Sequence, residues 1–500
     1  MNKKESGILL HISSLPSKYG VGTLGKEAFK FVDFLSDCGF SYWVLLPLEI
    51  TGYGNSPYQN SSAFGSNFYF IDFEALIAEG LLSVRDLQGI NFNDTPKKVS
   101  FTYIFANKLA ILKKAFKRFD INNEAFQKFK NNRHLLKYAI YMTAKELNDN
   151  KAWFDFPLNY RYYDKELETY LTKKHSKEID FYIFLEFIFQ KQWAKLHEYA
   201  KSKNIEIAGE VSHFLNLDSD EMYTTPQLFL VDKRNQLTYV AGYPPDEFSD
   251  VGQKWGNPLY DWDFMKDDNY RWWNERINRA ASMYDRVKLN HFQGFKEFYA
   301  VPFRSENAKK GSYMPGPGLD FFKNKEDLKI VAANLGYYTD SNNFVDEAGF
   351  KSMKVTNYGF FGTHCGDEKY LPSRLPSNCY AYIGNHDNKT LKEYIESLNK
   401  DDYQILIEKV QNECRILNVE FGNEIINNKY LHSKIIELLF ASNADSITLT
   451  MQDILFESNE ARMNIPGILD QENWTYRFLN HQIKNSIKDE YKKLNKKYMR

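Results

Sequence analysis

Two polar residues, Asn290 and His291, follow a short apolar run at 287–289 and stand where a buried strand would end. Barrel enzymes carry their reacting side chains at the carboxyl ends of their strands. An asparagine amide at such an end is a weak nucleophile and a weak base. The segment 286-RVKLNHFQGF-295 therefore predicts either chemistry with a neutral amide or a site that no longer does chemistry.

Two loops supply aromatic side chains of the kind that line sugar sites. The first, 52-GYGNSPYQNSSAF-64, carries Tyr53 and Tyr58, and the second, 244-PPDEFSDVGQKWGNPLYDW-262, carries Trp255. An aromatic ring can stack on the apolar face of a sugar, and tyrosine adds a hydroxyl. Surface turns can have the same composition, but long aromatic loops in a barrel usually cover its active face.

Short apolar runs that alternate with helical patterns predict the elements that would position these side chains. Helical periodicity, as in 26-KEAFKFVDFLSDC-38, falls between several of the runs. Eight runs in such alternation predict an α/β fold, a parallel (β/α)8 TIM barrel. The eight predicted strands are 7–12, 42–48, 205–211, 286–292, 328–334, 353–356, 379–387 and 446–454.

A long interval, residues 74–203, interrupts this alternation with helical patterns such as YIFANKLAILKKAFKRF. We interpret it as a helical insertion between the second and third strands, within one barrel unit that spans residues 1–500. Further loop insertions are expected around the active face. The lysine-rich end, 484–500, is typical of a helix with a solvated face.

Charge and cysteine content argue against several classes of protein. Lys+Arg 64 against Asp+Glu 65 gives a formal net charge of −1, without the basic excess of a nucleic-acid or membrane-surface binder. The four cysteines, Cys38, Cys365, Cys379 and Cys414, show neither metal-ligand nor CxxC spacing. We therefore expect reduced thiols and a cytoplasmic location. The first residues lack the apolar stretch of a signal peptide, and no run approaches the length of a membrane span.

Gly20, Gly22 and Gly25 match the GxGxxG pattern ahead of a helical segment. In a dinucleotide site such glycines follow a strand directly, and an acidic residue stands about twenty residues later. Here SSLPSKY intervenes with a proline, and no acidic residue ends a strand at that distance. We interpret these glycines as turn residues and expect no dinucleotide cofactor.

Five long strings spread over nearly the whole chain carry a resemblance: SGILLHISSLPSKYGVGTLG, TGYGNSPYQNSSAF, AGYPPDEFSDVGQKWGNPLYDW, GNHDN and MQDILFESNEARMNIPG. They resemble glycoside hydrolase family 77, the 4-α-glucanotransferases or amylomaltases. The resemblance implies a (β/α)8 barrel with inserted subdomains, no obligatory metal or organic cofactor, and transfer of α-1,4-glucan segments by a retaining double displacement. In such a mechanism a nucleophilic carboxylate and an acid/base carboxyl lie about 5–5.5 Å apart, and a third carboxylate stabilises the distorted sugar.

Carried over residue by residue, the resemblance leaves one of the three catalytic carboxyls. The nucleophile position, just before His-Phe, holds Asn290, and the acid/base position in AANLG holds Ala333. Asp387 in GNHDN matches the third carboxylate. The family's arginine two residues before the nucleophile is Lys288, which keeps the charge and loses the bidentate fork. The chain also reads GEVS at 209–212, with Glu210 and Ser212, where the family has Gly-Asp-Met-Pro. Other departures are Gln293 for an arginine, Asn334 for an aspartate and Asn385 for a threonine.

Positions that contact glucose units in the family are largely kept, so the resemblance implies an α-1,4-glucan groove. Tyr53 matches a tyrosine linked to the binding of longer glucans, and Asp246 lies in the covering loop. The carried-over binding residues are Tyr53, Tyr58, Asp246, Trp255, Lys288, His291 and His386.

Three hypotheses follow from the sequence. The preferred one is a degenerate homologue that binds α-1,4-glucans without transferring them, because loss of a nucleophile or base lowers turnover by on the order of 10⁴- to 10⁶-fold. The second is a working transferase that uses Glu210 and Asp387 as substitute carboxylates. The third is a subunit with a vestigial groove that pairs with a protein partner such as an active paralogue.

Overall fold

The computed structural model describes residues 4–92, 96–245, 249–325, 327–333, 340–361, 367–422 and 425–500. These residues form twelve strands, numbered in chain order. They are β1 (Glu5–Leu9), β2 (Tyr42–Leu45), β3 (Glu206–Val211), β4 (Tyr239–Tyr243), β5 (Gln253–Pro258), β6 (Arg286–Asn290), β7 (Glu297–Pro302), β8 (Ser312–Pro315), β9 (Ile330–Ala333), β10 (Lys351–Val355), β11 (Cys379–Tyr382) and β12 (Ser446–Thr450).

Eight parallel strands close into a barrel in the order β1-β12-β11-β10-β9-β6-β3-β2. Each overlaps one of the eight predicted runs, so the predicted barrel fold is confirmed. Parallel strands that are buried on both faces have nearly continuous apolar sequence, so their positions could be predicted from the apolar runs. The run 446–454 was predicted too long because the Thr450 side chain accepts a hydrogen bond from the Asp453 N–H and caps a following helix.

A second sheet is antiparallel, with the order β5-β4-β7-β8. Sequence analysis interpreted 244–262 as a loop, whereas Gln253–Pro258 within it form β5. The first three residues of β5 are exposed, and Gly256 has a φ of +83°. A strand that is exposed and interrupted in this way lacks the pattern of a buried strand.

Helices surround the barrel and fill the interval between β2 and β3 with α2 to α8. They are α1 (Lys26–Cys38), α2 (Phe73–Ala78), α3 (Phe101–Arg118), α4 (Glu124–Phe129), α5 (Arg133–Leu147), α6 (Leu158–Arg161), α7 (Lys165–Lys174), α8 (Ser176–Ser202), α9 (Asp220–Thr224), α10 (Trp262–Asp267), α11 (Arg271–Met283), α12 (Asp340–Glu347), α13 (Asn357–Phe360), α14 (Leu391–Glu396), α15 (Lys400–Ile416), α16 (Asn428–Ala441), α17 (Met451–Ile454) and α18 (Asn485–Tyr498). Within the described ranges, none of these helices has the length and apolar character that crossing a membrane requires.

Buried polar contacts join α8 to the loop after β2 and to α11. Glu186 of α8 accepts hydrogen bonds from the Ser66 N–H at 2.7 Å and from the Ser66 hydroxyl at 2.9 Å. Arg279 of α11 donates to the same carboxylate at 2.9 Å. The loop after β2 is therefore held from both sides, and this loop carries Tyr58 toward the barrel.

Arg286 closes the interior at the amino-terminal end of the barrel. Its guanidinium lies 2.8 Å from the Glu5 carboxylate and 2.5 Å from that of Glu206, and it donates to the Tyr380 hydroxyl at 2.8 Å. The ring centroid of Tyr42 lies 4.6 Å from the guanidinium carbon. This end of the barrel is therefore filled by a satisfied polar cluster.

Candidate functional site

Glu210 of β3 is fully buried and lies between two side chains of β6. The strand register pairs Glu210 with Lys288. Lys288 Nζ donates to Glu210 Oε2 at 2.9 Å, and Asn290 Nδ2 donates to Oε1 at 2.8 Å. Each carboxylate oxygen therefore has its own donor, one a cation and one a neutral amide.

Lys288 keeps its charge although it is buried. Burial lowers the pKa of Lys288. The negative charge of Glu210, the neighbouring Tyr382 and the hydrogen bond to Glu210 raise the pKa by more than burial lowers it, so the net shift is upward. The ammonium also lies 5.6 Å from the centroid of the Tyr382 ring. Lys288 and Glu210 therefore form an ion pair in which the positive and negative charges balance.

Ala333 ends β9 next to Asn290, its register partner on β6. Its methyl side chain is buried and cannot carry a proton. The position that the resemblance assigns to the acid/base thus faces the nucleophile position with no titratable group on either residue. The next residue, Asn334, lies outside the described residues.

Asp387 follows β11 and supplies a partly exposed carboxylate to the site. Its Oδ1 accepts a hydrogen bond from Asn464 Nδ2 at 2.7 Å, and its Oδ2 lies 3.4 Å from His386 Nε2. Burial raises the pKa of Asp387, but the charge and hydrogen bond of His386, the Asn464 amide and the charge of Arg462 outweigh it and hold the pKa below its ordinary value. Asp387 is therefore an ionised acceptor at neutral pH.

Tyr58 lies close enough to Glu210 and Asp387 for the charges of both carboxylates to act on it. Its ring stacks on His386 with centroids 4.9 Å apart, and its hydroxyl lies 3.4 Å from His386 Nδ1. Burial, followed by the negative charges of Glu210 and Asp387, raises the pKa of Tyr58 well above its ordinary value. The tyrosine therefore stays neutral and offers a hydroxyl beside both anions.

An aromatic wall is formed by three rings at the mouth, those of Trp255, His291 and Phe214. The Trp255 ring is 37% exposed and meets His291 edge to face at 5.6 Å and Phe214 at 6.3 Å. His291 has a left-handed backbone, with φ +46°, which turns the chain at the end of β6. Burial lowers its pKa to about 4, so the imidazole is neutral.

Two of the predicted binding residues, Tyr53 and Asp246, are described only in part or not at all. Tyr53 begins a short turn, Tyr53–Asn55, but its side chain lies outside the described part, as does the whole of Asp246. Three other residues that the resemblance predicts as departures from the family have partners. Gln293 donates to Glu297 at 2.9 Å, Ser212 donates to Asn60 at 2.9 Å, and Asn385 accepts from the Asp387 N–H at 2.9 Å.

Sequence analysis missed Phe214 of the aromatic wall and three polar residues of the site. Arg462 donates to the backbone carbonyl of Asp387, Asn464 donates to its side chain, and His11 is buried beside His386. Burial and the charge of His386 lower the pKa of His11 to about 3. Arg462 and Asn464 lie in the MQDILFESNEARMNIPG string, so the signal that could have found them was this string's position after the last strand.

No described part of the chain brings three or more histidine, cysteine or acidic side chains together in a way that would hold a metal ion. The polar groups at the mouth include the Lys288–Glu210 ion pair, the Asn290 amide, the ionised Asp387 carboxylate and the neutral Tyr58. Together they can accept and donate hydrogen bonds to a polyhydroxylated ligand, with the aromatic wall available for its apolar faces.

Comparison with known proteins identifies the family of this chain. Residues 10–482 match the model of glycoside hydrolase family 77, described as 4-alpha-glucanotransferase. The chain belongs to this family. The family resemblance inferred from the motifs is thereby confirmed.

Relatives of this family 77 member match it over nearly their whole length. The 4-alpha-glucanotransferase of Streptococcus pneumoniae is 35% identical over 98% of this chain and 96% of its own, and that of Clostridium butyricum is 34% identical over 98% and 100%. The structure of the amylomaltase from Streptococcus agalactiae in complex with acarbose superposes with a TM-score of 0.92 at 32% identity, covering 100% of both chains.

Proposed function

We propose that this family 77 protein binds α-1,4-glucans such as maltodextrins in the barrel mouth and has lost the transfer chemistry of its family. One observation carries the proposal. Asn290, at the position that the resemblance assigns to the nucleophile, donates its amide to the buried carboxylate of Glu210. An amide nitrogen has no lone pair free to attack an anomeric carbon, and this one is also oriented toward an anion.

The acid/base position supports the same conclusion. Ala333 cannot protonate a leaving oxygen or activate water. Loss of one such group costs on the order of 10⁴- to 10⁶-fold in turnover, which corresponds to roughly 5–8 kcal/mol of transition-state stabilisation. Here both groups are replaced, so a glucan would be held but not cleaved.

Retained binding is supported by the groups that still face the mouth. Asp387 is ionised and partly exposed, Tyr58 offers a hydroxyl, and Trp255 presents an accessible ring. These are the acceptor, donor and stacking surface that a sugar uses. The similar amylomaltase from Streptococcus agalactiae was solved with acarbose bound, which supports a ligand of this class.

A working transferase that uses Glu210 and Asp387 is the second candidate, because the charges of both act on Tyr58. It is the weaker one. A nucleophile or a proton donor must reach the glycosidic bond, whereas Glu210 is fully buried with Lys288 on one oxygen and Asn290 on the other.

The deciding experiment follows binding and turnover on the same batch of full-length protein. Calorimetry measures the binding of maltotriose and longer maltodextrins, while chromatography follows glucose release and redistribution of chain lengths. We expect binding without redistribution. Redistribution by the unmodified protein that is abolished by Asp387→Ala would overturn the proposal, and absence of both would assign a vestigial groove and favour a protein-partner role.

A pair of variants tests the missing carboxyls directly. We expect the double change Asn290→Asp with Ala333→Glu to produce measurable redistribution, because it supplies both a nucleophile and an acid/base. The matched control, Asn290→Asp alone, is expected to remain inactive for lack of a proton donor. Activity in the single variant equal to that of the double variant would show that position 333 does not carry the acid/base.

A further inference from the structure

A cavity of about 420 Å³, separate from the barrel mouth, lies beside the helices inserted between β2 and β3. Its walls come from the turn before α6, from α6 itself, from α9, from the 232–236 turn and from Phe303 after β7. No residue of the barrel mouth described above lines it. Its volume falls within the range of small-molecule sites, about 300–1,000 Å³.

The floor of this cavity is aromatic and fixed in place. The Tyr223 ring lies 5.6 Å from that of Tyr163 and 6.4 Å from that of Trp153. The Tyr223 hydroxyl donates to the Tyr160 carbonyl at 2.6 Å, and the Trp153 indole N–H donates to the Leu217 carbonyl at 2.8 Å. These polar ends are satisfied by the protein, so the rings present a preformed surface to a ligand.

The rim carries three rings that are unusually open to solvent. Phe154 is 40% exposed, Tyr162 is 55% exposed and Phe303 is 40% exposed. Exposed apolar groups clustered around a concavity mark a binding surface more often than they mark neutral surface. Such rings suit a flat ligand, either a sugar face or a heteroaromatic base.

Two arginines line the cavity, Arg161 and Arg234. Arg161 Nε donates to the Phe156 carbonyl at 2.9 Å, which leaves its terminal nitrogens for other partners. Arg234 stands in a turn that Asp232 stabilises by accepting the Arg234 and Gln236 N–H groups at 2.8 and 3.0 Å. Within the described residues neither guanidinium has a carboxylate within ion-pair distance, and no acidic side chain lines the cavity.

We propose that this cavity binds a phosphate monoester of a small ring compound, a sugar or a nucleoside. The ring lies against the aromatic rim and the phosphate lies between Arg161 and Arg234. Guanidinium forks bind phosphate oxygens in bidentate fashion, and a phosphate ester carries a charge of about −1.5 to −2 at neutral pH, which two arginines balance. The amides of Asn235 and Gln236 supply hydrogen bonds to hydroxyls or base edges.

Calorimetry on the full-length protein tests this site with glucose 6-phosphate and with AMP as the two probes. Glucose, adenosine and inorganic phosphate serve as ligands that carry only one half of the proposed chemistry. We expect at least one ester to bind with a Kd below about 1 mM and each half-ligand to bind at least tenfold more weakly. Which ester binds more tightly distinguishes the sugar from the nucleoside.

Two arginine variants locate the binding. Arg161→Ala and Arg234→Ala are each expected to weaken ester binding by about tenfold, and the exposed Arg415→Ala, matched in charge, is expected to leave it unchanged. Arg234 lies in an exposed turn, so its variant decides the matter if thermal melting shows that Arg161→Ala has loosened the fold. Glucan binding at the barrel mouth is expected to be the same in all three variants.

Three results would overturn the assignment. The first is that neither ester binds the unmodified protein. The second is that an ester binds equally well to both arginine variants. The third is that Tyr162→Ala abolishes maltotriose binding and leaves ester binding unchanged, which would make the aromatic rim part of a glucan site and not of the ester site.

Discussion

Arg286 and Lys288 stand two residues apart on β6 and face the same barrel interior, yet their surroundings differ. Arg286 lies against the carboxylates of Glu5 and Glu206, whose side chains are 23% and 34% exposed. Among the described residues, Lys288 forms its ion pair with Glu210, and that carboxylate is fully buried. The carboxylates around Arg286 are therefore partly hydrated. The Lys288–Glu210 ion pair is buried from water, so its charges are stabilised by protein groups rather than by solvent.

This difference shows how the mouth tolerates a neutral residue at position 290. One buried cation balances one buried carboxylate, and the Asn290 amide adds a hydrogen bond without adding charge. An aspartate at that position would place a second anion beside Glu210 with the same single cation. The amide is thus electrostatically suited to the site as it stands, and variants at these positions test the comparison.

The largest effect is expected for Lys288→Met. Removing the cation leaves Glu210 buried and uncompensated, which should lower the free energy of unfolding at neutral pH by about 3–5 kcal/mol. The loss should shrink as pH falls, because an unpaired buried carboxyl binds a proton more readily in the folded than in the unfolded chain. Urea denaturation at neutral and mildly acid pH measures both parts, and a loss that does not vary with pH would count against an uncompensated charge.

A smaller effect is expected for Arg286→Met, about 2–3 kcal/mol. Water can reach both of its carboxylate partners, and Glu206 keeps Lys329 at 2.7 Å. The exposed Lys329→Met is the control and should change the stability by less than about 0.5 kcal/mol. If Arg286→Met cost more than Lys288→Met under the same conditions, the contrast between the two ends of the barrel would be wrong.

Asn290→Asp should cost about 1–2 kcal/mol at neutral pH, because the new carboxylate replaces a donor that now lies 2.8 Å from Glu210. Two adjacent carboxyls hold a proton more tightly in the folded protein, so the destabilisation should vanish as pH falls and grow as pH rises. The control, Asn290→Ala, loses the hydrogen bond without adding charge. Parallel pH profiles for the two variants would contradict the expectation.

The smallest effect is expected for Asp387→Asn, on the order of 0.5–1 kcal/mol. The pKa of Asp387 is held below its ordinary value of 3.8, so its ionised form contributes stability above that value and loses it as pH falls through the folded pKa. Thermal melting should therefore separate the two proteins at neutral pH and bring them together in acid. The exposed Asp267→Asn should show no such convergence.

The barrel could be predicted because its strands are buried on both faces, as in the run that became β12, where all five residues are buried. The antiparallel sheet could not be predicted in the same way. Its strand β8 is mostly exposed and has proline at its end, and β5 begins with three exposed residues. Such strands are stabilised by partners distant in the chain rather than by a local pattern of their own.

The candidate site was accessible to sequence analysis only in its parts. The resemblance predicts Asn290 and Ala333 as substituted positions, but their adjacency depends on the register of β6 against β9. The hydrogen bond from Asn290 to Glu210 spans 80 positions and depends on the register of β6 against β3. Contacts of this kind follow from barrel closure, which apolar periodicity predicts without fixing the residue pairs.

If transfer has been lost as proposed above, the hydrogen bond between Asn290 and Glu210 also constrains the mutational paths that would restore it. A first step to aspartate at position 290 brings two carboxylates together around one lysine and gains nothing while position 333 is alanine. A first step to glutamate at position 333 supplies a proton donor with no nucleophile to assist. Under that proposal neither single substitution brings a benefit, and the change to aspartate also lowers stability. Natural selection acting on one substitution at a time would then not restore transfer by either route.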